Sequence, residues 1–444
     1  MKTKRDNYTF LTTAPVHRVI LTMAIPTIIS MLVTSLYNMV DTYFVGKINT
    51  QCTAAVGVSF SMMAIIQAVG FFCGHGSGNY ISQKLGAKQT EDAAVMAATG
   101  FFYSFSFGIV IAIVSHLFLD DIAVMLGSTP TILPYTRTYL GIVLLGAPFM
   151  TSSFTMNNQM RFQGNALLAM VGIVTGAVLN VFLAPLFIFV FDMGIAGAAT
   201  ATLISQICSF CVLFAMTCSS RNIHILPRNF SFSRQLMKEI VAGGTPSLSR
   251  QGLGSLAVIM LNVAAGAFGD AAIAGMSIVS RSCFFVFSFI IGLGQGFQPL
   301  CGFCYGARLY SRVKEGYMYS VKLGTVFLIV VAVVSFAFAE PIVAEFRDDP
   351  DVILVGTAAL RWQLVTFPLM ATVIVSNMFM QTIRKPIRAN ILAAARSGLF
   401  FIPLVLILPK LWGLLGLEIC QAVADVFAFA ITVPLVWSAF REMR

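Results

Sequence analysis

Charge is scarce in this chain. Only 10% of its 444 residues are Asp, Glu, Lys or Arg, against 58% hydrophobic residues and a mean hydropathy of +0.86. Tryptophan and histidine are scarcer still, at three and four residues. So little polar surface excludes a soluble globular domain. No G-x-x-x-x-G-K-[ST] occurs, which excludes ATP hydrolysis by that loop. Neither H-E-x-x-H, G-x-S-x-G nor a pair of intramembrane acids is present, so nothing supports an enzyme acting inside a bilayer. The glycine-spaced stretches Gly74–Gly78 and Gly292–Gly296 follow no strand and complete no phosphate loop. They read as close helix packing. Nine cysteines, an odd number, include two C-x-x-C pairs, Cys208/Cys211 and Cys301/Cys304. Without a second ligand pair or a βαβ context these are packing thiols, and no metal or cofactor is expected.

What the chain does have is long apolar runs. Twelve of them, from about 16–45 to about 412–438, can each cross a hydrocarbon core of ~30 Å. The first lacks a short apolar region with a small-residue cleavage site, so it reads as an uncleaved span. The net charge of +10 suggests nucleic acid at first sight, but its placement excludes that partner. With the N-terminus inside, about 19 basic residues face the cytoplasm and about 5 face out, which predicts cytoplasmic termini. Trp362, Trp412 and Trp437 fall near helix ends, as anchors among the membrane lipids do.

Shifting the chain by 218–220 positions superimposes its halves. Pro26 meets Pro246, Gly46 meets Gly266, Gly86-Ala87-Lys88 meets Gly306-Ala307-Arg308, and Asn157 meets Asn377. Six spans per half is an even number, so both halves insert with one orientation, as a parallel repeat. The expected fold is an all-α polytopic membrane protein of twelve transmembrane helices in two six-helix lobes. The lobes are residues 1–218 and 239–444, joined by a basic cytoplasmic linker at 219–238. Two lobes around a cleft favour alternating access over a single pore.

Asp41 carries the functional signal. Charges inside a bilayer cost several kcal/mol and mark ion, proton or substrate paths by default. Counting from the start of the first span puts Asp41 in the outer half, at ~1.5 Å per residue. Pro26, lower in the same helix, removes a backbone hydrogen bond and makes it a candidate hinge. Burial disfavours an ionised carboxylate, while a cation or hydrogen-bond donors favour it, so Asp41 could alternate between proton and cationic cargo. Asp425 is the other deep acid, with Arg396 or Arg281 as candidate partners.

The combination of Tyr37-Asn38-Met39-Val40-Asp41-Thr42-Tyr43-Phe44-Val45-Gly46, Gly86-Ala87-Lys88 and Asn158-Gln159-Met160-Arg161-Phe162-Gln163-Gly164-Asn165 resembles the MATE (multidrug and toxic compound extrusion) family. The resemblance spans all twelve helices and is nearest its bacterial DinF-like branch. It implies a pair of six-helix bundles exporting organic cations or amphiphiles in exchange for protons or sodium ions. It also implies ion coupling through Asp41, Asn157, Asn180 and Thr202, and a substrate cavity that includes Tyr37, Asn38 and Asn158. Where that branch has an aspartate four residues after the helix-5 asparagine, this chain has Ala184. The acidic C-lobe cluster of the other bacterial branch is absent too, since Ser255 and the stretch Asn377–Gln381 hold no carboxylate. One carboxylate suits a proton better than sodium, which prefers several oxygen ligands.

Two other functions compete. A lipid-linked oligosaccharide flippase of the wider superfamily needs a basic cavity, and only Arg250, Arg281 and Arg396 lie well inside spans, with Lys322 near an inner end. A non-transporting receptor or scaffold leaves the repeat and Asp41 unexplained.

Overall fold

The computed structural model describes residues 7–218 and 222–443, the side chains of Asn38 and Met39 excepted. Residues 1–6, the first three residues of the expected linker and Arg444 lie outside the described residues. Among the described residues every regular element is helical. Short helix α1 (Asn7–Thr13) precedes α2 (Val16–Gly46), α3 (Thr50–Gly86) and α4 (Thr90–Leu117). There follow α5 (Leu119–Met125), α6 (Leu133–Val143), α7 (Ala147–Phe162), α8 (Ala166–Pro185) and α9 (Gly194–Thr217). The second half contains α10 (Arg234–Gly266), α11 (Asp270–Gly306), α12 (Tyr310–Ala337), α13 (Ala339–Phe346), α14 (Pro350–Thr382), α15 (Pro386–Ala394) and α16 (Phe401–Glu442).

Among the described residues ten helical stretches are long and apolar enough to cross a membrane by themselves. The last of them, Pro386–Glu442, is broken at Gly413, whose φ of 59° and ψ of −136° leave the helical region, so it supplies two spans. Helix α10 is equally long but diluted by Arg234, Lys238, Glu239 and Arg250. With it the twelve expected spans are present. In hydrocarbon each span must satisfy its own backbone. Many hydroxyls satisfy their own donor by bonding to the carbonyl four residues back, among them Ser30 to Pro26 at 2.9 Å and Thr432 to Ala428 at 2.7 Å. Caps are equally local: Asn49 Oδ1 accepts the amide of Cys52 at 2.7 Å, and Asp349 caps α14 ahead of Pro350.

Backbone geometry repeats with the sequence. Left-handed residues recur at Lys88 (φ 61°) and Arg308 (φ 58°), at Gly164 (φ 88°) and Arg384 (φ 59°), and at Gly194 (φ 55°) and Gly413 (φ 59°). That conformation is unfavourable for residues with a Cβ, so its recurrence at one offset reflects a shared fold rather than shared composition.

The chain forms two compact units. The first takes the described part of Met1–Leu11 together with Ile25–Gly244, and the second takes Thr12–Ala24 and Thr245–Arg444. All three changeovers lie inside a helix: one between Leu11 and Thr12 in α1, one beside Pro26 in α2 and one beside Pro246 in α10. Within the first unit α3 packs on α4 and α7, and α8 on α9; within the second α14 packs on α11, α12 and α16. Glycines set these separations. A Cβ on Gly74 would lie 2.9 Å from Asn158 Cβ, and one on Gly78 would overlap the Phe162 ring. Gly78→Ala is therefore expected to destabilise the protein by about 2 kcal/mol through overpacking. The check is a lower melting temperature in detergent.

Candidate functional site

Asp41 lies on α2 five residues before its terminal glycine, and it is 3% exposed. Helices α6, α8 and α9 surround it with hydroxyl and amide groups. Tyr37, one turn earlier on α2, and Tyr139 on α6 both lie within electrostatic range of its carboxylate. Both tyrosines also lie near the hydroxyl of Thr202 on α9. Asn180 on α8 donates from Nδ2 to Thr202 Oγ1 at 3.2 Å. Asp41, Tyr37, Tyr139, Thr202 and Asn180 thus form one continuous polar cluster inside the first unit, and all but Tyr37 are buried.

The cluster is incompletely bonded. The Tyr139 hydroxyl is directed at Asp41, but neither Tyr139 Oη nor Asp41 Oδ1 reaches hydrogen-bonding geometry with a partner. Ser205 Oγ and Gln206 Oε1, about a turn along α9 from Thr202, are likewise buried and unpartnered. Such atoms are rare in folded proteins because each retains its desolvation cost. Ala184 packs into an apolar cluster with Val45, Ile188 and Ala198, so its position supplies a methyl group rather than a second carboxylate. An ionised carboxylate in these surroundings needs a positive charge beside it.

The other expected site residues lie elsewhere. Asn157 on α7 donates from Nδ2 to the Ala169 carbonyl at 2.8 Å, bracing α7 against α8. Asn158 is fully buried; it donates to Phe154 O at 2.7 Å and accepts from Arg161 Nη2 at 2.6 Å. Pro26 stands where α2 passes from one unit to the other. The side chain of Asn38 lies outside the described residues.

Among the described residues the buried side chains able to carry a full charge are Asp41, His75, Arg161 and Asp425. His75 approaches Arg161 Nη2 at 3.3 Å and stacks on Phe71, with centroids 5.4 Å apart. Asp425 on α16 is bound from three sides: by Arg396 Nε at 2.9 Å, Gln421 Nε2 at 2.8 Å and Thr366 Oγ1 at 3.3 Å. Of its two candidate partners Arg396 is the one that bonds. Arg281 instead lines a hollow with Asp270, Arg347 and Asp349.

Sequence reasoning missed Tyr139. In Tyr139-Leu140-Gly141-Ile142-Val143 it is an aromatic in an apolar run, and nothing local separates it from a packing residue.

Known proteins resemble this arrangement along its whole length. The family model described as MatE matches residues 26–186 and 246–407. Multidrug export protein MepA of Staphylococcus aureus (strain MSSA476) is 26% identical over 441 residues, covering 98% of this chain and 96% of that protein. A solved MATE structure in complex with MaL6 superimposes with a TM-score of 0.93 at 25% identity over 99% of each chain. The outward-facing conformation of a multidrug resistance MATE family transporter of the MOP superfamily gives 0.92 at 25% identity, covering 100% of this chain and 99% of the other.

Proposed function

This chain belongs to the MatE family, and on that premise we propose that it is a proton-coupled antiporter exporting organic cations or amphiphilic drugs by alternating access. It is a multi-pass membrane transporter and not an enzyme. Its site is the bacterial inner membrane, with both termini cytoplasmic. The name of the MepA relatives, multidrug export proteins, supports small-molecule cargo.

The observation that carries the coupling reading is the single carboxylate of Asp41, with an unpartnered oxygen and a methyl group at position 184. A proton needs only one oxygen. Sodium needs several, and a lone carboxylate among phenols and amides offers a poor shell for it. In this mechanism a proton on Asp41 releases cationic cargo, and cargo arriving from the cytoplasm displaces the proton. Thr202, braced by Asn180, and the two tyrosines stabilise whichever form is present. Asn157 holds α7 and α8 together while the site changes state. Pro26 lets α2 bend. The flippase reading loses support from Arg396, whose charge Asp425 neutralises.

Reconstituted protein in inverted vesicles is expected to take up a fluorescent organic cation under an imposed proton gradient without sodium. Uptake that requires a sodium gradient instead would overturn the coupling.

A further inference from the structure

Arg250 stands at the midpoint of α10 (Arg234–Gly266), as deep as a span allows. A guanidinium at that depth is costly, and the usual remedy is a carboxylate partner, as Arg396 has in Asp425. The partner of Arg250 is neutral. Its Nη1 donates to Asn377 Oδ1 at 2.7 Å, and among the described residues no carboxylate lies within ion-pairing distance.

The internal repeat separates scaffold from addition. Asn377 is fixed by its Nδ2, which donates to the Ala389 carbonyl at 2.8 Å. Asn157, its counterpart in the first unit, makes the same bond to Ala169 at the same 2.8 Å. The position matching Arg250 is there Ser30, which bonds only its own helix at Pro26. The asparagine brace therefore forms without a guanidinium, and Arg250 is added to it rather than required by it. The arginine is partly exposed, so one edge of the guanidinium stays accessible. One turn along the same face of α10 stands Gly254, and a Cβ there would meet nothing within 4 Å. A fixed, planar donor fork beside open space suits a bidentate anion.

We propose that Arg250, held by Asn377, binds the anionic group of an amphiphile, a carboxylate or a phosphate. This rests on the export reading and narrows its cargo, because a molecule recognised here carries an acidic group besides any cationic one. The same chemistry occurs in a phospholipid headgroup, so the source has to be separated by experiment.

The test uses the full chain in phosphatidylcholine nanodiscs, with no gradient, so that failure of coupling cannot be mistaken for failure of this site. The probes are a xanthene dye cation bearing a free benzoate and its ethyl ester, followed by fluorescence anisotropy. The native protein is expected to bind the acid about tenfold more tightly than the ester, the usual weight of a charge-assisted contact. Arg250→Gln is expected to bring that ratio to about one, with the acid binding more weakly and the ester more tightly once the like charge is gone. Adding phosphatidylglycerol separates the sources. If it weakens acid binding in the native protein and not in Arg250→Gln, a lipid headgroup occupies the same fork. A native protein indifferent to the benzoate and to phosphatidylglycerol overturns the proposal. So does a variant that loses affinity for acid and ester equally, since that is what a merely structural arginine would do.

Discussion

Asp41→Asn is expected to abolish gradient-driven export while leaving the protein folded. Asparagine matches aspartate in shape and keeps an oxygen facing Tyr139, so the packing of α2 against α6, α8 and α9 survives. What disappears is the charge difference between the two working states. Cargo and proton then no longer compete for one oxygen, and a gradient that cannot distinguish two conformations cannot shift their populations. Uptake in inverted vesicles should fall roughly a hundredfold, to the leak, since nothing remains to bias the equilibrium. Stability should stay level or rise slightly, because a buried ionisable group with an unpartnered oxygen has been replaced by a neutral one. A variant that still accumulates dye under a proton gradient would move the coupling elsewhere, with His75 and Asp425 the first groups to examine.

The largest stability effect is expected at the opposite kind of acid. Asp425 is completely buried and accepts from Arg396, Gln421 and Thr366, whereas the Arg396 side chain is 24% exposed and also lies over the Phe287 ring at 4.5 Å. Removing the arginine strands a carboxylate with two neutral donors. Removing the acid strands a guanidinium that still has an aromatic face and partial exposure. Arg396→Met should therefore cost about 3–5 kcal/mol, the range for breaking a buried pair, and Asp425→Asn clearly less. The double variant Arg396→Met/Asp425→Leu should recover most of the loss, because well-packed apolar replacements of buried ion pairs are often neutral. Melting temperatures of the three proteins in detergent check the order. Export that survives in Asp425→Asn would mark the pair as a structural tie, and its loss at unchanged melting temperature would contradict that assignment.

Large-scale organisation was legible because it rests on signals that span many residues. Twelve spans follow from apolar length, and the repeat follows from a constant offset that the left-handed turns at Lys88 and Arg308 also obey. Asp41 was legible alone, since one acid in an apolar run is conspicuous. Its surroundings were only partly so. Asn180 and Thr202 meet each other, but Tyr139 is brought to them by the packing of α6, which no local pattern encodes. Asn157 and Asn158 entered the expected site through the family resemblance, which does not say what their side chains bond here. Asn157 spends its amide on a carbonyl across α7 and α8, and Asn158 on its own helix, with its oxygen accepting from Arg161. Pairing of Asp425 was undetermined between two arginines because choosing between them requires knowing how α16 packs against α11, which carries Arg281, and against the segment Ala395–Leu399, which carries Arg396. The changeovers beside Pro26 and Pro246 were out of reach for the same reason, since they are properties of three-dimensional contact and not of composition.

Those changeovers bear on how the protein is made. Each compact unit borrows a helical segment from the other half of the polypeptide, Thr12–Ala24 in one direction and the start of α10 up to Gly244 in the other. During synthesis Thr12–Ala24, made early, must wait for a partner that begins at Thr245. At 5–20 residues per second that wait lasts about 10–40 s. Throughout it the newborn first half sits in the bilayer with part of its leading span uncommitted. Membrane insertase and quality-control factors therefore meet a half-finished object whose completion waits on α11 and α12. A chain severed in the linker yields two fragments, each holding a piece that belongs to the other.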